Sequence, residues 1–161
     1  MSELSIQIEF NLFRYMAGAD FGYATRKLSP YLFTGVASFN YNPLTKYNGD
    51  DIELRLLQTE NVAYKKSAIS VPYGAGVKYN ISGNWTILAE LGYRTAFTDY
   101  LDDISGRYID FNVVSPASSL TQALADRSIA PQIGTPGTQR GDFRPRDTYM
   151  FAGLGLTYTF I

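Results

Sequence analysis

Five segments of the chain alternate apolar and polar residues with a period of two, the spacing at which successive side chains fall on opposite faces of a sheet. The last is the most regular: Met150, Ala152, Leu154, Leu156, Tyr158 and Phe160 share one face, and Phe151, Gly153, Gly155, Thr157 and Thr159 the other. The first sets Leu4, Ile6, Ile8, Phe10 and Leu12 against Ser5, Gln7, Glu9 and Asn11. The second runs from Tyr31 to Tyr41 and predicts an outward face of Tyr31, Phe33, Gly35, Ala37, Phe39 and Tyr41 opposite Leu32, Thr34, Val36, Ser38 and Asn40. The third presents Ile69, Val71, Tyr73, Ala75, Val77, Tyr79 and Ile81, with Ser70, Pro72, Gly74, Gly76, Lys78 and Asn80 behind them. The fourth sets Trp85, Ile87, Ala89, Leu91 and Tyr93 against Thr86, Leu88, Glu90, Gly92 and Arg94.

A tall apolar face backed by small and polar residues is what a strand needs when lipid lies outside and a narrow lumen inside. Ten residue steps at about 3.3 Å, tilted near 40°, rise roughly 25 Å, the height of a barrel's apolar band. Tyr31, Tyr41, Tyr79, Trp85, Tyr93, Tyr158 and Phe160 are therefore expected to form aromatic girdles at the membrane boundaries. The pattern predicts an all-β fold, an antiparallel transmembrane β-barrel occupying residues 1–161 as a single domain. A soluble β-barrel holding a small apolar ligand would use the same alternation with its faces inverted. Glycines at 74, 76, 92, 153 and 155 favour a crowded interior over a solvated exterior.

Because Ile81 and Trp85 share a face, an odd number of residues must join them, and Ser82-Gly83-Asn84 fits a three-residue hairpin. Its register puts Glu90 across from Gly76 and diagonal to Lys78. Short and long connections then alternate, the long ones running from Asn42 to Ser67 and from Thr98 to Thr148. Outer-membrane barrels keep short turns in the periplasm and end their last strand there, which places Met1 at the outer rim and implies an odd number of strands upstream. Three would make eight. Two open edges in hydrocarbon would each leave a row of unpaired backbone groups, at several kcal/mol apiece. The chain thus reads as the five C-terminal strands of an eight-stranded barrel, N-terminally incomplete, with no signal-peptide pattern in Met-Ser-Glu-Leu-Ser-Ile-Gln-Ile.

Composition narrows the chemistry. Aromatics make up 15% of the 161 residues, with 13 tyrosines and 14 glycines, as suits strands, turns and girdles. A formal charge of −1 without a basic run argues against a nucleic-acid partner. The chain contains no His and no Cys, which excludes His-based triads, thiolate nucleophiles, disulfides and Cys/His metal sites. No run approaches 18 apolar residues, so no helix is expected to cross a membrane.

Glu9, Lys78, Glu90 and Arg94 share the inner face and are expected to form a structural ion-pair cluster in the lumen, since so narrow an interior has no room for unpaired charge. Asp99, Asp102, Asp103 and Asp110 supply oxygen donors, but their spacing does not follow a calcium loop, and neither a metal nor a cofactor is expected. Arg140-Gly141-Asp142 spells an integrin-type tripeptide, a three-letter match of little weight. Ser119 and Thr121 have no base beside them in sequence, so no nucleophile and no enzyme activity is expected. Pro116, Pro131, Pro136 and Pro145 break up the last long connection and forbid a long helix there. The apolar series Leu54, Leu56 and Leu57 is a candidate mouth cap or partner contact.

Residues 4–13 (LSIQIEFNLF), 29–43 (SPYLFTGVASFNYNP), 71–79 (VPYGAGVKY), 93–108 (YRTAFTDYLDDISGRY) and the stretch 140–160 resemble PorG-like outer-membrane proteins over nearly the whole chain. The resemblance implies a small OmpA-like barrel of eight strands in a bacterial outer membrane. It further implies a scaffold role in type IX protein secretion, with membrane lipids and periplasmic ring proteins as partners.

Overall fold

A computed structural model describes residues 1–15, 27–82, 84–113, 118–128 and 133–160; Gly83, Pro116 and Pro131 lie outside them. The fold is all-β and mainly antiparallel. Its strands are β1 (Ser2–Asn11), β2 (Leu28–Asn40), β3 (Leu44–Tyr47), β4 (Asp50–Glu53), β5 (Ser67–Ser82), β6 (Trp85–Ala96) and β7 (Thr148–Tyr158), with short helices α1 (Leu54–Leu57) and α2 (Ser119–Ala125). The five alternating segments become one sheet in the order β1-β2-β5-β6-β7, so each strand lies beside its neighbour in the series and β1 and β7 are outermost.

The chain divides into two compact units. A strand unit comprises Leu4–Ser38, Ile69–Thr95 and Thr148–Ile161. Within it β6 pairs antiparallel with β7 from Trp85↔Tyr158 to Thr95↔Thr148, which sets Glu90 opposite Gly153 and Leu88 opposite Gly155. Tyr73 stacks on Tyr93 with ring centroids 6.0 Å apart, and a Cβ built on Gly74 would stand 2.6 Å from the Gly92 Cα. Both neighbours are those the three-residue turn requires. Pro72 sits inside β5, in the middle of the sheet, where a missing N–H would weaken the ladder; its carbonyl accepts from Thr34 Oγ1 at 3.2 Å.

The second segment corrects the sequence reading. Tyr31 and Phe33 are 1% and 4% exposed, whereas Leu32 and Val36 are 49% and 58% exposed. The face of Tyr31, Phe33, Ala37, Phe39 and Tyr41 is therefore the buried one, and Tyr31 and Tyr41 are not girdle residues. The reason is volume. A Cβ on Gly76 would stand 2.4 Å from the Tyr31 ring, and one on Gly74 or Gly92 2.7 or 2.8 Å from Phe33 Cζ, so the neighbouring strands lack side chains where these rings lie. Rings and glycines fill one layer together at the density interiors demand.

The second unit, Met1–Glu3, Phe39–Ala68 and Ala96–Asp147, holds the long connections. Its core is Phe39, Tyr41 and Ala96, with Tyr64, Ala68 and Leu101 packed on it. β3 and β4 form a hairpin around Asn48 and Gly49, whose φ of 52° and 95° are those of a tight two-residue turn. The polar run before Thr121 is a helix cap: Ser118 Oγ accepts from Thr121 N at 3.1 Å and starts α2.

Candidate functional site: an apolar sheet face over a polar inner layer

The outer face of the strand unit exposes large apolar side chains on every strand. Leu4, Ile6, Ile8 and Phe10 on β1, Leu32 and Val36 on β2, and Ile69 and Ile81 on β5 point away from the inner layer. Ile87 and Leu91 on β6 and Met150, Leu154 and Leu156 on β7 continue the face, Leu154 at 86% exposure. A soluble monomer rarely shows so large a contiguous apolar patch. Aromatic rings bracket it. At the turn end Trp85 meets Tyr158 at 4.9 Å and Tyr158 meets Phe160 at 4.8 Å, both edge-on, and Asn84 Nδ2 donates to the Tyr158 hydroxyl at 3.3 Å. At the other end stands the Tyr73–Tyr93 stack, and Tyr73 was not among the girdle residues expected from sequence. Tyr79 is exposed near the turn. From Trp85 to Tyr93 the strand runs about 27 Å, a rise of about 20 Å at the usual tilt.

The inner face carries the charge. Lys78 Nζ pairs with Glu9 Oε2 and lies over the rings of Tyr31 and Tyr15, at 4.7 and 5.0 Å. Glu90 Oε1 accepts from the Tyr31 hydroxyl at 2.7 Å, and Tyr15 shares a 3.0 Å hydrogen bond with Thr86 Oγ1. The Arg94 guanidinium lies 3.7 Å from the Phe151 ring centre, and Phe151 faces Phe33 at 5.9 Å. Glu9, Lys78, Glu90 and Arg94 all stand on this layer, with Lys78 paired to Glu9, while Glu90 is met by Tyr31, which the sequence placed on the outward face, and Arg94 lies on Phe151. The glycines on adjacent strands were the available signal, because an absent side chain implies a ring from elsewhere.

The other unit has its own polar centre, on Arg140. Its side chain is 7% exposed and donates Nη1 to Glu60 Oε1 at 2.9 Å, Thr59 Oγ1 at 3.0 Å and the Asp103 carbonyl at 2.9 Å, and Nε to the Ala125 carbonyl at 3.0 Å. Glu60 also accepts from Ser105 N and Gly106 N. Asp103 accepts from Thr59 Oγ1 at 2.5 Å and the Tyr64 hydroxyl at 2.6 Å. The integrin-type reading fails on this geometry, since the arginine is buried in a salt bridge and a Cβ on Gly141 would stand 2.3 Å from the Ser105 carbonyl.

The acids scatter. Asp102 accepts from Ile104 N, Asp110 from Asn112 N, and Asp99 from Ser105 Oγ, so each closes a local turn. Among the described residues no group of three acidic side chains is placed to hold a metal. Burial, with repulsion from neighbouring aspartates, pushes the Asp99 and Asp147 carboxyls above the ordinary aspartate range. Burial and the hydrogen bond to Asp103 likewise raise the Tyr64 hydroxyl. Leu54 to Leu57 form α1 without burying a residue, and Leu56 stays exposed.

No curated protein and no solved structure matches the chain. Residues 1–115 match the model of a family described as Domain of unknown function (DUF6089). That match covers more than two thirds of the 161 residues, and the chain belongs to this DUF6089 family.

Proposed function

We propose that the protein is a non-enzymatic β-barrel of a bacterial outer membrane, the five strands of its larger sheet forming part of an eight-stranded barrel. The observation that carries this reading is the direction of the faces: large apolar side chains lie exposed on all five strands of the sheet while Glu9, Lys78, Glu90 and Arg94 sit on the inner layer. Lipid is the solvent that makes such a face favourable, at about 25 cal/mol per Å² of apolar surface withdrawn from water. The outermost strands β1 and β7 each present an edge, which hydrocarbon does not tolerate, so further strands complete the barrel on this reading. The soluble barrel with an apolar ligand inside needs the opposite assignment of faces.

The role in the membrane is scaffolding, most specifically that of a PorG-like component of type IX secretion that meets periplasmic ring proteins. The resemblance of residues 4–13, 29–43, 71–79 and 93–108 supports this role. With neither His nor Cys in the chain and Ser118 spent as a helix cap, nothing favours a catalytic one. Two experiments separate the layers of the proposal. Detergent phase separation of the full-length protein puts it in the detergent-rich phase if the barrel reading holds, and in the aqueous phase if it does not. Deletion of the gene abolishes export of type IX cargo if the secretion role holds; unchanged export defeats that role and leaves the barrel standing.

A further inference from the structure

Within the unit of long connections, a cavity of about 330 Å³ lies between the start of α1 and the end of α2. Leu54, Ile104, Tyr108 and Leu124 make its apolar wall. Its polar groups are few, and most are already engaged. Arg140 commits Nε and Nη1 to four acceptors, and among the described residues Nη2 has none, so a guanidinium on a side chain 7% exposed keeps two N–H donors for the cavity it lines. Asp126 is the opposite case, since Ser128 N and Oγ and Gly134 N take both of its oxygens. Asp102 accepts from Ile104 N with Oδ1, which leaves Oδ2 for another donor. A second hollow of about 490 Å³ shares Asp102, Ile104 and Arg140 and adds Asp99, Asp142 and Asp147. Negative potential therefore gathers on the Asp102 side, where burial and mutual repulsion hold the Asp99 and Asp147 carboxyls above the ordinary aspartate range.

The two groups left open carry opposite charge. A simple anion in this cavity would meet Asp102 and Asp126, and a simple cation would leave the Arg140 donors unmet, whereas a zwitterion answers both. The apolar wall adds a demand for hydrocarbon beside the charges. We propose that this cavity binds a free dipeptide with apolar side chains, its carboxylate taken by Arg140 Nη2, its ammonium by Asp102, and its side chains by the wall of Leu54, Ile104, Tyr108 and Leu124. The volume stands at the lower end of the range of ligand pockets, about 300 to 1,000 Å³, which suits two residues rather than a longer chain. This site is independent of the membrane assignment, because every residue in it belongs to the unit of long connections.

The test is calorimetric titration of the full-length, detergent-solubilised protein with dileucine, at two temperatures so that a vanishing enthalpy at one does not hide binding. Saturable binding is expected. Diglycine, N-acetyl-dileucine and dileucine amide lack in turn the side chains, the ammonium and the carboxylate, and each is expected to bind at least about tenfold more weakly, the loss that one charge-assisted contact or one buried side chain brings. Asp102→Asn keeps an acceptor for Ile104 N and should weaken dileucine by a similar factor while leaving hydrogen exchange at the Ser105 and Gly106 amides unchanged. No saturable binding of dileucine at millimolar concentration, or diglycine binding equally well, overturns the proposal whatever becomes of the variant. N-acetyl-dileucine binding as tightly as dileucine, or an Asp102→Asn protein with undisturbed amides that binds like the parent, overturns the pairing of the ammonium with Asp102.

Discussion

The Tyr31 hydroxyl donates a 2.7 Å hydrogen bond to Glu90 Oε1, joining a strand whose aromatic face points inward to a carboxylate two strands away. A hydrogen bond to a charged acceptor in such a layer is worth about 1.5 to 3 kcal/mol, and leaving the acceptor unmet costs the most. Tyr31→Phe should therefore destabilise the detergent-solubilised protein by about 2 kcal/mol, and Glu90→Gln, which keeps an acceptor, by about half of that. Denaturant midpoints for both variants check the order; equal midpoints would mean that the pair contributes nothing.

Two glycines of the inner layer should respond differently to the same change. Gly76→Ala places a Cβ 2.4 Å from the Tyr31 ring and should cost about 1 to 3 kcal/mol by overpacking, whereas Gly153→Ala meets nothing nearer than Glu90 Oε2 at 4.0 Å. The second change is expected to be neutral or slightly stabilising, since alanine reduces the freedom of the unfolded chain. Thermal unfolding of the two variants side by side measures the difference.

Arg140 donates to four acceptors and Glu60 accepts from Arg140 and from the Ser105 and Gly106 amides, both side chains nearly buried. Arg140→Ala leaves the Glu60 carboxylate buried without its cation and should cost about 3 to 5 kcal/mol within that unit. Arg140→Lys should recover little, because one ammonium cannot donate from two separated nitrogens as the guanidinium does. Hydrogen exchange at Ser105 and Gly106, whose amides donate to Glu60, reports the loss directly.

The raised carboxyls of Asp99 and Asp147 set a sign for pH dependence. An acid whose folded value lies above its unfolded value binds its proton more readily when folded, so its contribution favours the folded state at low pH. That contribution turns against the folded state as pH rises through the raised value. Asp147→Asn keeps an oxygen for Leu101 N and removes the charge. The stability of the variant relative to the parent should grow from mildly acid to neutral pH, by roughly 0.5 kcal/mol given the exposure of the site. A pH-independent difference would show that Asp147 is not under strain.

On the membrane reading, Leu91→Arg at the middle of the outer face of β6 should destabilise the bilayer-inserted protein by about 2 to 4 kcal/mol. In detergent-free buffer the same change should improve solubility. Folding titrations in vesicles decide it, and an insensitive variant would remove lipid from that face.

Alternation alone located five strands and the outward faces of β1, β5, β6 and β7, because the pleat leaves no other choice of side for residues two apart; their order along the sheet came from the tertiary structure. The three-residue turn likewise determined which residues of β5 and β6 are neighbours, since hairpin loop length sets register. Strand β2 escaped this logic: both of its faces carry apolar residues, and the long connections on either side impose no parity, so the aromatic face read as the lipid-facing one. Tertiary structure decided it, because only there do Tyr31 and Phe33 find the glycines of β5 and β6. Arg140 shows the same limit in the other unit, as a motif exposed in a one-dimensional reading became a buried ion pair once Glu60, eighty positions earlier, came within 2.9 Å. Local spacing dictates which side a residue occupies, and long-range packing dictates what waits there.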